Sequence, residues 1–280
     1  MLNTRAATNA NFFGVHAYGS TPPERIVGNV LTLREMLLPY FDTPPPVINT
    51  EWGFSAYGLG TDGHSDDARH RQAVLGTRAL LSAWVTGMPV TTWYDMKDDC
   101  DDPNDNECNF GLLDVNNSPK PIYHAFATLR DAATQHTLNA ILSNGTGPHM
   151  LRLQGTDEII IIAWLSQPGA EISIQTPPPL AAWDMYGNST DMGELFLLRE
   201  ADGPIYLRYQ QQSDADTDDT ASDGSSTRDS EQLPQDANNG SPDSGCGCET
   251  AAQSAAQSAA PTILLLIAFS VILLIRRFAE

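Results

Sequence analysis

The run Pro44-Pro45-Pro46-Val47-Ile48-Asn49-Thr50-Glu51-Trp52-Gly53-Phe54-Ser55 concentrates residue types that can do chemistry. A short β-branched apolar stretch ends in a carboxylate, followed by an aromatic and a glycine. In a parallel α/β protein the reactive groups sit where strands end, so Glu51 stands in position for chemistry. A carboxylate beside an indole suits sugar chemistry: the charge faces the reacting carbon and the apolar ring carries the sugar face. Two other strand ends present further candidates, His16-Ala17-Tyr18 and Thr92-Trp93-Tyr94-Asp95.

The elements that must position these residues alternate regularly between Asn11 and about Leu129. Phe12 to Gly19 reads as a strand running into a loop, and Pro23 to Tyr40 as a helix with Ile26, Val30, Leu33, Met36 and Leu37 at helical spacing. Val47–Thr50 reads as a second strand. Asp66 to Thr86 is the strongest helix, with Ala73, Leu75, Ala79, Leu80, Leu81 and Trp84 on its buried stripe and Gly87 as its stop. Val90–Tyr94 reads as a third strand and Ile122 to Arg130 as the start of a third helix. Beyond Ala133 the period changes to two. Segments at 150–153, 158–164, 171–174, 181–186 and 204–209, separated by Gly, Asn and Pro, predict a small antiparallel sandwich.

The chain has 280 residues and a net charge of −20. Part of that acidity is local, since Ser213 to Gly245 holds eight Asp and one Glu against one Arg. Such a balance repels phosphates and argues against nucleic acid as a partner. The Asp/Ser/Gly-rich stretch 212–258 cannot bury a core and is expected to be a disordered acidic linker. Cys100 and Cys108 would pair in an oxidising compartment, whereas their spacing and the absence of clustered His argue against zinc. The acidic loop Asp98 to Asp105 lacks the register and glycine of a calcium loop, and a solvated acidic loop is the expectation there.

The order of strand ends resembles the last three βα units of a retaining glycoside hydrolase barrel, in the superfamily whose acid/base and nucleophile glutamates end strands four and seven. Phe110-Gly111-Leu112-Leu113 and Lys120-Pro121-Ile122-Tyr123 resemble that superfamily's passage from strand eight into the last helix. The resemblance covers about residues 10 to 210. It implies an α/β fold: a partial (β/α)8 TIM barrel over 1–135, a β-sandwich over 136–211, the linker, and a C-terminal transmembrane helix over 259–280. By the same resemblance Glu51 would be the nucleophile, with Tyr18 hydrogen-bonding its carboxylate and His16 contacting sugar hydroxyls. Trp93 would floor the cleavage subsite, or else fill the barrel core, Trp52 would support the strand end or a neighbouring subsite, and Tyr94 would be a further substrate contact. No metal or organic cofactor is implied, because the hydrolysis runs on carboxylates and water. The partner implied is a polysaccharide or oligosaccharide.

A retaining mechanism requires a second carboxylate about 5 Å from the nucleophile. No Asn-Glu pair in this sequence ends a strand, and a complete barrel takes about 250 residues. The expectation is therefore the C-terminal portion of a longer enzyme, carrying the nucleophile without the acid/base and inactive alone. Met1 to Asn11 has no signal-peptide pattern. Ser244-Gly245-Cys246-Gly247-Cys248, the apolar tail and Arg276-Arg277 resemble a myxobacterial C-terminal sorting signal. Cys246 would be its modification site, the tail would enter the membrane, and the N-terminal domains would face the cell exterior. The alternative function is a non-catalytic, surface-anchored glycan-binding or relic protein.

Overall fold

The computed structural model describes residues 10–18, 22–144 and 147–211 and the backbone of Leu264–Leu266. Three parallel strands, β1 (Phe13–His16), β2 (Val47–Trp52) and β3 (Val90–Trp93), lie side by side in chain order. The helices α1 (Arg25–Leu37), α2 (Asp66–Val85) and α3 (Pro121–Thr134) follow them in turn. The helix ends match their residues. Ser65 caps α2 by accepting from the Ala68 amide, and Asp66 and Asp67 face the positive end of its dipole. At the other end Gly87 takes φ 67°, the left-handed conformation that closes a helix and suits glycine. Pro121 opens α3, where its missing N–H costs nothing.

One face of the parallel sheet is buried. Ala17, Val47 and Trp52 pack with Ile26 and Val30 of α1 and Ala79 and Ala83 of α2, with Phe13 and Val15 against them. On the other face Gly14, His16 and Thr50 are exposed. This alternation follows from the period of two along each strand.

The second half is an antiparallel sheet in the order β4 (Thr137–Ser143), β5 (His149–Gln154), β6 (Glu158–Trp164), β10 (Ile205–Gln210) and β8 (Ala181–Trp183). A two-stranded ribbon, β7 (Glu171–Gln175) and β9 (Leu195–Arg199), covers one side of it. Helices α2 and α3 cover the other side, where Leu151, Leu153, Ile160, Ile162, Trp164 and Tyr206 meet Leu81, Trp84, Phe126 and Leu129. Burial on both faces explains the unbroken Ile159-Ile160-Ile161-Ile162-Ala163 run of β6. It also explains why α2 is buried on almost every side rather than along one stripe: nearly all of Gln72 to Trp84 is enclosed. The segments 1–135 and 136–211 thus share one core. Strands β4 and β9 lie where the sequence pattern had left loops.

The acidic linker 212–258, Cys246 and most of the tail lie outside the described residues. Within the tail, Leu264–Leu266 is a strand, β11, parallel to β3, where the sequence predicted a transmembrane helix. The physical reason is local: β3 ends the sheet, and three tail residues satisfy its edge hydrogen-bonding groups. Among the described residues no helix is long and apolar enough to cross a membrane.

A buried ion cluster ties these layers together. Arg78, fully enclosed in the middle of α2, donates from Nε and Nη2 to the Glu24 carboxylate at 2.8 and 2.9 Å and from Nη1 to Glu200 Oε1. Trp164 of β6 donates its indole N–H to Glu24 at 2.8 Å, and Arg71 reaches Glu200 at 2.6 Å. Replacing Arg78 with Leu leaves the mostly buried Glu24 without a cation, held only by the Trp164 indole N–H, and Glu200 with Arg71 alone, for which a loss of about 3–5 kcal/mol is expected. Urea unfolding followed by tryptophan fluorescence measures it. A loss below about 1 kcal/mol would show that solvent already compensates these carboxylates.

Candidate active site

Glu51 reaches its position through an irregularity in the sheet. The parallel pairing of β1 and β2 shifts register between Val15 and His16, so that His16 comes opposite Glu51 instead of Thr50. The buried Asn49 side chain spans this irregularity. With its amide nitrogen turned toward the backbone carbonyls, it donates to Val15 O at 3.0 Å and Glu51 O at 3.1 Å. A buried amide thus satisfies carbonyls that the shifted ladder leaves free. Thr50 adds a bond from its hydroxyl to Val15 O at 3.3 Å.

The side chains of the two strand ends converge. His16 Nδ1 lies 4.0 Å from Glu51 Oε2, with both side chains open to solvent, at 58% and 40% exposure. The Tyr18 phenol lies within the influence of Glu51: burial and the Glu51 carboxylate push it well above the ordinary tyrosine range. The phenol stays protonated and so remains a hydrogen-bond donor beside the carboxylate. His16 and Tyr18 meet edge to face, with centroids 6.5 Å apart.

The loop after β3 forms the wall of this mouth. Phe110 contacts Tyr18 and Tyr94 edge to face, at 6.4 and 5.3 Å between centroids. The approach depends on Gly53. A Cβ there would stand 1.9 Å from the Tyr94 carbonyl oxygen and 2.9 Å from the Phe110 ring. Stitches hold the wall to the Glu51 loop. The Ser55 hydroxyl donates to Asn106 O at 2.7 Å, the Ala56 amide to Asn109 O at 3.0 Å, and Tyr94 N to Trp52 O at 2.9 Å. From α2, Gln72 donates to Phe54 O, Asn109 O and Phe110 O at 2.7, 2.9 and 3.2 Å. Below them Lys120 forms a buried pair with Asp98 at 2.9 Å and also donates to Asn109 O at 3.1 Å. A disulfide joins Cys100 to Cys108.

The two tryptophans are not where a sugar platform requires them. Trp52 is 1% exposed and Trp93 is 6% exposed, and both belong to the cores under the sheet. Trp93 fills the slot left by Gly76 of α2, whose Cβ would lie 3.1 Å from its ring, and packs edge to face on Phe126. Strand alternation assigns it inward, so Trp93 and Trp52 are core residues and Tyr94 alone of the three stands at the mouth. In the acidic loop Asp99, Asp101, Asp102 and Asp105 are exposed as expected, and Asp98 alone of its aspartates departs, buried and ion-paired with Lys120. Sequence reasoning passed over Phe110, Glu107 and Asp95 as site residues. Asp95 is pushed up to about 7 by burial and by the charges of Asp99 and Asp98. The signal in the sequence was its place directly after Tyr94 at a strand end. Among the described residues no group of three or more His, Cys, Asp or Glu is arranged to hold a metal ion.

No protein-family model matches the sequence, and no curated protein matches it. Solved structures do. The chain is similar to a family 39 glycoside hydrolase from the gut symbiont Bacteroides cellulosilyticus WH2, with TM-score 0.51 and 25% identity over 64% of this chain and 37% of that one. A GH39 β-xylosidase from Caulobacter crescentus matches with TM-score 0.45 and 13% identity over 74% of this chain and 52% of its own. A GH30 endoxylanase from Clostridium papyrosolvens C71 matches with TM-score 0.46 and 13% identity, covering 75% of this chain and 52% of its own. The α/β fold is thus shared with part of a glycoside hydrolase, and this chain spans 37% of the first enzyme's length.

Two measurements test the site's construction. In a tyrosine titration by NMR, the signal absent from Tyr18→Phe should ionise above the ordinary range, and Glu51→Gln should bring it down; no response to Glu51→Gln would break the pairing. Reducing the disulfide frees a loop with a sequence separation of 8 residues, and replacing Cys108 with Ser does the same. Chain entropy sets the expected loss of thermal stability at about 2–3 kcal/mol. Calorimetry with and without reductant reads it.

Proposed function

We propose that this chain is the nucleophile-bearing portion of a retaining glycoside hydrolase that cleaves O-glycosidic bonds of a polysaccharide. The observation that carries the reading is the convergence of Glu51, Tyr18 and His16 at neighbouring parallel strand ends, on a fold shared with part of a glycoside hydrolase. Glu51 attacks the anomeric carbon, the glycosidic C–O bond breaks, and a covalent glycosyl-enzyme forms that water later hydrolyses. Tyr18 holds the carboxylate by its hydroxyl, and His16 and Tyr94 face the sugar hydroxyls. The acid/base that protonates the leaving oxygen comes from outside this chain, and the parallel strands belong to a barrel that the rest of the enzyme completes. The disulfide favours an oxidising, extracytoplasmic setting.

A leaving group that departs without protonation separates the nucleophile from the missing acid. Incubation with a dinitrophenyl 2-deoxy-2-fluoroglycoside should release about one equivalent of phenolate and leave a covalent sugar on Glu51, with no turnover of unactivated glycosides. Peptide mass spectrometry locates the sugar, and Glu51→Ala should abolish it. Labelling elsewhere, or none, would leave the non-catalytic glycan-binding alternative. Steady hydrolysis of an unactivated glycoside, lost in Glu51→Ala, would show that the acid/base is present in the chain.

A further inference from the structure

The mouth at Glu51 has a second carboxylate that the retaining chemistry above does not use. Glu107 lies on the short 3-10 turn Glu107–Asn109, between Asn106, which accepts the Ser55 hydroxyl bond, and Cys108 of the disulfide. Three residues further on, Phe110 bridges Tyr18 and Tyr94. The turn therefore cannot move away from the Glu51 loop without breaking the Ser55–Asn106 and Ala56–Asn109 bonds. The Glu107 residue is exposed, and its carboxylate takes one hydrogen bond, from Asn106 Nδ2 at 2.9 Å. Its charge and that of Glu51 are both felt at the Tyr18 and Tyr94 hydroxyls, and Asp95 and Asp99 add to the field at Tyr94. Glu107 thus adds its charge to the wall that Phe110 forms beside Tyr18 and Tyr94.

We propose that Glu107 is a specificity-determining residue of the Glu51 site, whose fixed charge on the loop wall favours uncharged and amine-bearing glycans and rejects uronate-bearing ones. The inference rests on the reading of Glu51 as a carboxylate that faces a sugar. It does not require Glu107 to take part in bond cleavage. Coulomb repulsion between like charges at a solvent-exposed site is modest and is screened by salt, so the selectivity belongs to low ionic strength.

The test uses the full chain on an array of oligosaccharides grouped as neutral, uronate-bearing and amine-bearing. Titration then compares the best neutral binder with its uronate and amine counterparts, for the wild type and for Glu107→Gln. The wild type should bind the amine form most tightly and the uronate form least. Glu107→Gln should raise uronate affinity and lower amine affinity by roughly threefold each, leaving the neutral ligand unchanged. Added salt should compress the wild-type order. A merely structural role would move all three ligands together, and that result overturns the proposal, as does a wild type that binds uronates as tightly as neutral chains. No binding on the array overturns both this proposal and the glycosidase reading. Binding that keeps the charge order while the fluoroglycoside leaves Glu51 unlabelled removes the nucleophile role and leaves the Glu107 selectivity standing.

Discussion

The burial of one guanidinium governs how this chain is put together. Arg78 sits in the middle of α2 with no exposed surface, and an unpaired cation there would be prohibitive. Its planar fork instead meets Glu24 at the entrance to α1 and Glu200 in the turn before β10. The geometry suits Arg and not Lys, because parallel N–H groups engage one carboxylate while a third donor engages the other. Trp164 and Ser166 join the cluster from β6 and the residues after it. One residue of α2 thereby sets the position of the first helix relative to the antiparallel sheet. That choice has a consequence for α2 itself. A helix enclosed between two sheets carries no exposed stripe over Gln72–Trp84, and Arg78, the Gln72 amide nitrogen and the Thr77 hydroxyl find their partners inside.

Gln72 extends the same logic toward the site. Its amide nitrogen contacts three carbonyls, those of Phe54, Asn109 and Phe110, which belong to the two loops that flank Glu51. Lys120 draws on Asn109 from below while paired with Asp98, and the Gly111 amide also donates to Asp98 at 2.7 Å. The buried polar groups of α2 and of the start of α3 thus fasten the loops after β2 and β3 to one scaffold. A site built on loops gains precision when groups on rigid elements hold those loops. The disulfide adds a covalent constraint at the outer end of the same segment.

Much of this was legible in the chain. Period-3.6 stripes located α1 and α2, and the Ser65-Asp66-Asp67 start and Gly87 stop located the ends of α2. Alternating segments located β5, β6, β7, β8 and β10. The missing strand β9 alternates in burial, but its sequence Leu195-Phe196-Leu197-Leu198 is apolar throughout, and β4 mixes apolar and polar residues without a period of two, so the sequence pattern gave no contrast. Glu51, Tyr18 and His16 come together as their strand-end positions implied. Trp52 supports the strand end instead of standing at the mouth, because it follows Glu51 in sequence and so lies on the opposite face of the strand, and Trp93, its partner in register, shares that buried face. The wall formed by Glu107, Phe110 and Lys120 was illegible for another reason. Its contacts join residues with no common periodicity, and only tertiary hydrogen bonds select their arrangement.

The strand end that carries Glu51 shows how a local fault can turn a carboxylate toward the open face of a sheet. A regular ladder would place Thr50 opposite His16, with Glu51 on the helix side of the sheet, where an ionised carboxylate would have to be buried against Ala79 and Ala83. The shift of one residue changes which side chain meets the solvent face. Asn49 makes that shift tolerable, since its amide supplies the donors that the displaced carbonyls of Val15 and Glu51 need. An Asp at this position could not donate, and an apolar residue would leave Val15 O only the Thr50 hydroxyl at 3.3 Å and Glu51 O only the Ala17 amide at 3.4 Å. The asparagine two residues before the carboxylate is therefore part of the apparatus that presents it. The order Asn49-Thr50-Glu51 reads as one unit: a buried donor, a residue that absorbs the extra position, and a charge delivered to the open side of the sheet.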